Sequence, residues 1–417
     1  MIAASLAACS DAPTSPATSS ATKGVVPSLQ YSITDLQGDL MAAGFDGAFG
    51  IGFDVDNAGR VLGAATVNGG PQHGFIWAGG RVTSIGTLGG DALNSQAGGS
   101  GTAAAVVSEI AETDPLAEDF CGFGSSLVCR GAVWQHGVLT PLPTLGGRNA
   151  AAIAINGRGQ IVGLAEDGVL DNGCVPPLKS HFQAVVWENG QIRKLPPLPG
   201  DEVALAVRNN ENGLVVGTSG LCSNTYYAGT GAGPHAVVWD NGVPTYLGDF
   251  GDHTQGFAAA VNDRGEVFGA ASYPGGSLHA FRWTRASGMQ DIGLMSTDPS
   301  DAQNTPFQAN DKGQLVGASC DAPFGNCRGY IWQNGVYTDL NTLTPPDSKL
   351  YVVLPLSINE AGQITGLAVN TDTFEPHVVL LTPGPGNGAS RPANAGRRGP
   401  PLPQSLRRFV ERTPRAH

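Results

Sequence analysis

The sequence predicts an all-β chain, a seven-bladed β-propeller of four-stranded repeats whose ring is closed by the N-terminal strand. Three observations lead there. Gly and Pro make up 89 of 417 residues, against roughly 12% in an average protein. Long helices fit that composition poorly, because each Gly costs a helix about 1 kcal/mol relative to Ala and each Pro about 3. All six Trp fall in one local phrase, Trp preceded in five of the six copies by an apolar pair, at spacings of 57, 53, 52, 44 and 49 residues. Finally, the chain is 41% hydrophobic, enough to offset the entropy of ordering and to exclude wholesale disorder.

The Trp phrases are Phe75-Ile76-Trp77, Ala132-Val133-Trp134, Val185-Val186-Trp187, Val237-Val238-Trp239, Phe281-Arg282-Trp283 and Tyr330-Ile331-Trp332, with a seventh copy, Val379-Leu380-Leu381, ending in Leu. Upstream lies N-x-x-G-x-h-x-G, where h is apolar: Asn156–Gly163, Asn210–Gly217, Asn262–Gly269, Asn310–Gly317, Asn359–Gly366 and, led by Asp, Asp56–Gly63. The second repeat lacks this phrase. In each repeat the residues before the Asn read as a first strand, x-h-x-G as a second, the Trp phrase as a third and the run ending in T-L-G-G as a fourth. N-x-x-G and W-x-N-G supply the turns, since Asn bonds its own backbone two residues on and Gly accepts positive φ. A repeat of four strands every 44–57 residues is the signature of a propeller. The seventh repeat ends after its third strand, and Ile33-Thr34-Asp35-Leu36 reads like Tyr337-Thr338-Asp339-Leu340, the fourth strand of the sixth. The N-terminal strand is therefore expected to complete the last blade and leave no unpaired edge.

His279-Ala280-Phe281 before Trp283, with Asn262-Asp263-Arg264-Gly265 upstream, resembles the bacterial extracellular HAF-repeat family over roughly residues 32–381. The His recurs as His73, His235 and His377 and is replaced by Arg130, Gln183 and Arg328. The resemblance implies export and a repeat architecture, and it carries no catalytic residue. The four His lie one per repeat and read as strand-end residues bonding locally.

The ends differ from the body. Met1–Cys9 reads as a lipoprotein signal remnant, Leu6-Ala7-Ala8-Cys9 matching a lipobox that would make Cys9 the lipidated residue. Only eight residues precede Cys9 and none is basic, so an n-region is expected upstream. Residues 10–28 read as a flexible linker and 29–382 as the propeller. Residues 383–417 read as a disordered Pro/Gly/Arg-rich tail with seven Arg and one Glu. Without that tail, the 23 basic and 35 acidic residues become 16 and 34, a net charge of −18. An acidic body with five Lys argues against nucleic acid as a partner, and any membrane contact is expected through Cys9 only.

Six Cys remain besides Cys9. Cys121 and Cys129 share one loop, Cys320 and Cys327 another, and Cys174 and Cys222 occupy the same loop of consecutive repeats. Three disulfides are the expected pairing, and they fit an oxidising, exported location. Zinc is the alternative, but the sequence has no C-x-x-C and no His gathers near these Cys.

In a four-stranded meander the connections between second and third strands lie on one face, and here they vary most in length, being long in repeats 2–4. Insertions gathered on one face often make the binding face. This one carries Glu109, Glu112, Asp114, Glu118, Asp119 and Phe120, then Glu166, Asp167 and Asp171, then Tyr226 and Tyr227. Carboxylates beside aromatics point to a glycan or a cation-bearing partner. The plainer reading is that the acids are solvated and the aromatics pack the disulfide loops. Asp54-Val55-Asp56-Asn57-Ala58-Gly59 starts like a calcium loop but has Ala58 and Ala65 at ligand positions. No nucleophile elbow, phosphate loop or H-E-x-x-H occurs, so no catalytic residue, metal or cofactor is expected. The function expected is a lipid-anchored, non-catalytic binding protein for an extracellular protein or polysaccharide. The alternatives are a glycan-active enzyme using paired loop carboxylates and a purely structural surface protein.

Overall fold

The computed structural model describes residues 29–98, 103–227, 231–295, 303–321, 326–385 and 400. Cys9, the linker and nearly all of the basic tail lie outside the described residues. The fold is a β-propeller. Repeat 1 is an antiparallel meander of Gly50–Val55, Val61–Thr66, Gln72–Ala78 and Arg81–Gly86. Repeats 2 (first strand Leu93–Gly98), 3 (Ala150–Ile155) and 4 (Val203–Asn209) form three further four-stranded sheets in the same order. Repeat 2 does so although its sequence phrase is lost. Repeat 7 pairs Leu350–Ile358, Ile364–Asn370 and Pro376–Pro385 in sequence, and Leu29–Asp35 adds to its outer edge with Ile33 opposite Leu381.

Five four-stranded sheets thus stand apart. Repeats 5 and 6 do not: they share one eight-stranded sheet. The link is a single parallel pair, Leu278 of repeat 5 opposite Gln303 of repeat 6. First strands of successive repeats touch along the chain, and the first strand of repeat 1 also touches that of repeat 7. Apolar clusters fill the spaces between neighbouring sheets, as where Ala154, Val162 and Val186 of repeat 3 meet Ala204, Ala206 and Val215 of repeat 4. Among the described residues no helix is long and apolar enough to cross a membrane.

The repeated residues have separate structural duties. The last Gly of N-x-x-G-x-h-x-G faces a β-bulge in the first strand, where the register shifts between Ala152 and Ala154, or between Ala206 and Arg208. The bulge pushes a carbonyl at the neighbouring strand. A Cβ on Gly163 would lie 2.0 Å from the Ala151 oxygen, and one on Gly217 would lie 2.0 Å from that of Leu205. The Asn has two duties. Asn210 Oδ1 accepts from the Asn212 and Leu214 amides at 3.0 and 2.9 Å, closing its own turn, while Nδ2 donates to the Asn262 carbonyl of the next repeat at 2.9 Å. Asn156 donates likewise to Asn210, Asn262 to Asn310, Asn310 to Asn359, and Asn359 to Asp56 at 2.7 Å. Asp56 has no side-chain donor, and the repeat after it has no phrase to receive one. The Trp indoles also join repeats: Trp187 donates to the Pro143 carbonyl, Trp239 to that of Pro196 and Trp77 to Asp39 Oδ2. Asp39 lies in the one-turn helix Gln37–Ala42 that follows the N-terminal strand.

Candidate functional site

The long second-to-third-strand connections of repeats 2, 3 and 4 are tied by disulfides. Cys121–Cys129 closes the repeat-2 loop, Cys174–Cys222 joins repeat 3 to repeat 4, and Cys320–Cys327 closes the shorter loop of repeat 6, with Cα separations of 6.0, 4.4 and 4.1 Å. The first two pairs sit in one apolar cluster with Phe120, Leu178, Phe182 and Tyr226. Phe120 is 1% exposed and Tyr226 7%, so these two aromatics pack the disulfide loops and do not offer a stacking surface. The Tyr227 side chain lies outside the described residues.

The carboxylates divide by depth. Glu109, Asp114, Glu118 and Glu166 are all buried, contrary to a uniformly solvated acidic face, because each is taken up by main-chain amides. Glu166 Oε2 accepts from the Arg148 and Asn149 amides at 3.1 and 2.9 Å, and Glu109 Oε2 accepts from the Ala92 amide at 3.2 Å. The two glutamates hold equivalent positions, each gripping the segment that enters its own repeat. Asn149 extends the Glu166 grip: its Nδ2 donates to Asp114 Oδ2 at 2.7 Å and its Oδ1 accepts from the Cys129 amide at 2.8 Å. Glu118 accepts from the Lys179 amide of repeat 3 and lies close enough to Glu166 for its charge to act on it. Burial, then the Glu118 charge, pushes the Glu166 carboxyl up to about 8, so Glu166 keeps its proton at neutral pH.

Glu112, Asp119 and Asp171 stay nearer solvent. Glu112 pairs with Arg148, Asp119 accepts from the Gly124 amide at 3.0 Å, and Asp167 from Gln183 Nε2 at 3.0 Å. Asp171 accepts from the Gly173 amide at 2.7 Å and contacts His181 Nε2 at 3.1 Å. The Gly173 bond, then His181, holds the Asp171 carboxyl below the usual range. His181 corrects one expectation. It stands beside the Cys174–Cys222 pair because the hairpin after Leu170 folds back, and the ligand atoms of Asp171, Cys174, His181 and Cys222 lie within 4.8 Å of one another. The repeated His residues bond carboxylates singly: His235 with Asp201, His279 with Asp291 and His377 with Asp35, at 2.9, 3.0 and 2.8 Å.

What the sequence did not single out on this face is its exposed apolar residues. Val169, Leu170 and Leu221 are 50%, 66% and 38% exposed, and Tyr273 and Phe374 in the same connections of repeats 5 and 7 are 39% and 50%. An apolar residue at a strand end reads as core in the sequence, so no pattern separates these from buried neighbours.

No family model matches the chain, and no curated protein does. Among solved structures it is similar to the β-propeller domain of the Trilobed protease from Pyrococcus furiosus (9% identity, 82% of this chain and 97% of that one, TM-score 0.45). It is also similar to Pyrococcus horikoshii acylaminoacyl peptidase (9% identity, 76% and 48%, TM-score 0.43). A third is a structure from a study of two prolyl endopeptidases (11% identity, 84% and 52%, TM-score 0.45). The chain spans about half the length of the last two.

Proposed function

We propose that the chain is an exported, lipid-anchored, seven-bladed propeller that binds an extracellular macromolecule, without catalysis, on the face carrying the long connections. The observation that carries this reading is that face's combination of fixed loops and exposed aliphatic side chains. Disulfides and buried carboxylates tie the loops of repeats 2–4 while Val169, Leu170 and Leu221 remain in solvent. Loops ordered before binding lose less entropy on association, and aliphatic side chains held in solvent on such loops gain free energy when a partner covers them. Sugars stack on aromatic faces, yet in the long loops of repeats 2–4 Phe120 and Tyr226 are buried and the exposed apolar residues are aliphatic, which favours a protein partner over a polysaccharide there. Three disulfides favour an oxidising compartment. Glycan hydrolysis is disfavoured because catalytic carboxyls flank an accessible sugar about 5–10 Å apart, whereas Glu118 and Glu166 are buried under the loops and bound to main-chain amides.

The blade count rests on seven sequence repeats and on first strands that touch in a complete circuit, with the eight-stranded sheet counted as two blades. Closure by the N-terminal strand is supported by its register with Pro376–Pro385. Tyr31 also packs among residues of repeats 6 and 7, and Leu36 among residues of repeats 7 and 1.

A photo-crosslinking residue placed at Leu170 or Leu221 in producing cells tests the binding face, with Val138 and Val243, exposed valines of the opposite face, as comparison. A discrete protein adduct from 170 and 221 alone is expected. Adducts from all four positions, or from none, would contradict the assignment.

A further inference from the structure

We propose that the clasp between repeats 3 and 4 becomes a zinc site when its disulfide is reduced, with Asp171, Cys174, His181 and Cys222 as the four ligands. Two thiolates, an imidazole and a carboxylate are a donor set for tetrahedral zinc, and one ligand atom of each residue already lies within 4.8 Å of the others. His181 Nε2 and Asp171 Oδ2 are 3.1 Å apart, close to the roughly 3.3 Å between two ligands bound at about 2.0–2.1 Å to one tetrahedral ion. The disulfide is not the only link between these two loops. The Val175 amide donates to the Cys222 carbonyl at 3.0 Å, so the two loops stay joined when the sulfurs part. Cys174 and Cys222 form the buried side of the site, 5% and 0% exposed, and Asp171 and His181 the solvent side through which an ion enters.

A His beside a carboxylate is common in this fold, as in His235–Asp201, His279–Asp291 and His377–Asp35. Those pairs have no sulfur nearby. Among the described residues, only this clasp brings three or more His, Cys, Asp or Glu ligands together.

The chemistry balances with a dithiol as reductant. It gives two electrons and two protons to the Cys174–Cys222 bond, leaving as a cyclic disulfide and producing two thiols. Zn²⁺ then displaces both thiol protons to solvent, while neutral His181 offers one ring nitrogen lone pair and Asp171 one carboxylate oxygen.

The test uses the full chain, reduced with a dithiol that is then removed under nitrogen, and titrated with Co²⁺ followed by Zn²⁺. The reduced chain should take up one Co²⁺ with thiolate charge-transfer and tetrahedral visible bands, and Zn²⁺ should displace it. Cys222→Ser should weaken uptake roughly 100-fold and His181→Ala at least about tenfold, no less than the roughly 10–100-fold cost of losing a group that merely orients a metal ligand. The Cys320→Ser/Cys327→Ser variant should bind as the wild type does, and the unreduced chain should show no such bands. The proposal is overturned if reduced wild type binds no more tightly than Cys222→Ser, or if oxidised and reduced chains bind alike. It is also overturned if reduction unfolds the chain whether or not zinc is present.

Discussion

Asn210 uses both ends of one side chain, its oxygen closing a turn and its nitrogen reaching the next repeat. Asn210→Asp keeps the acceptor and loses the donor, leaving the buried Asn262 carbonyl without that bond, and should cost about 1–3 kcal/mol in chemical unfolding. Asp56→Asn keeps the turn acceptor, loses only the half-buried ion pair with Arg60 and has no receiving repeat, so it should cost less, about 1 kcal/mol. Gly217→Ala drives a methyl onto the Leu205 carbonyl and should cost about 3 kcal/mol. Gly38→Ala, with open space in the short helix, should be neutral or stabilising. Glu166 makes a pH prediction. Its carboxyl is raised in the folded state to about 8 from an ordinary 4.5, so the folded chain holds this proton more tightly than the unfolded one. The associated stability is fully present below about pH 4.5 and is lost as pH climbs to about 8. Melting temperatures of wild type minus Glu166→Gln should therefore fall across that interval; a flat difference would count against the raised Glu166 carboxyl.

The loops of repeats 2–4 show where sequence reading stops. Their length, their Cys pairing and the face they occupy follow from strand counting and spacing. The depth of their acids does not, because the groups that hold Glu109 and Glu166 are main-chain amides 17 residues upstream, and an amide has no letter in the sequence. One signal was present: the last Gly of T-L-G-G. A Cβ on Gly90 would meet Glu109 Cβ at 2.6 Å, and one on Gly147 would meet Glu166 Cβ at 2.3 Å, so the motif marks where the entering chain lies against its carboxylate. The disulfides differ in reach, with sequence separations of 8 and 48 for Cys121–Cys129 and Cys174–Cys222. Chain entropy favours the longer link by about 1.5 kcal/mol. Replacing Cys174 and Cys222 with Ala should lower the melting temperature more than replacing Cys121 and Cys129, as calorimetry would show.

Across the chain, the period of the Trp phrase made the propeller legible, because each repeat must bury its faces on the next and so keeps the same contacts. The merging of repeats 5 and 6 was not legible, since it rests on one backbone pair, Leu278 with Gln303. The exposed aliphatics of the long-connection face were invisible for the same kind of reason: burial depends on neighbours contributed by other repeats. The reading of a closed ring has its most direct test at the N-terminal strand. Thermal unfolding of a chain lacking residues 1–36 should be compared with that of a chain lacking only 1–28. Loss of the strand removes the pairing along Pro376–Pro385 and the buried side chains of Tyr31 and Leu36. Closure predicts a melting temperature lower by about 10 °C or more, recovered in part by adding a peptide of residues 29–36. Identical melting of the two chains would contradict it.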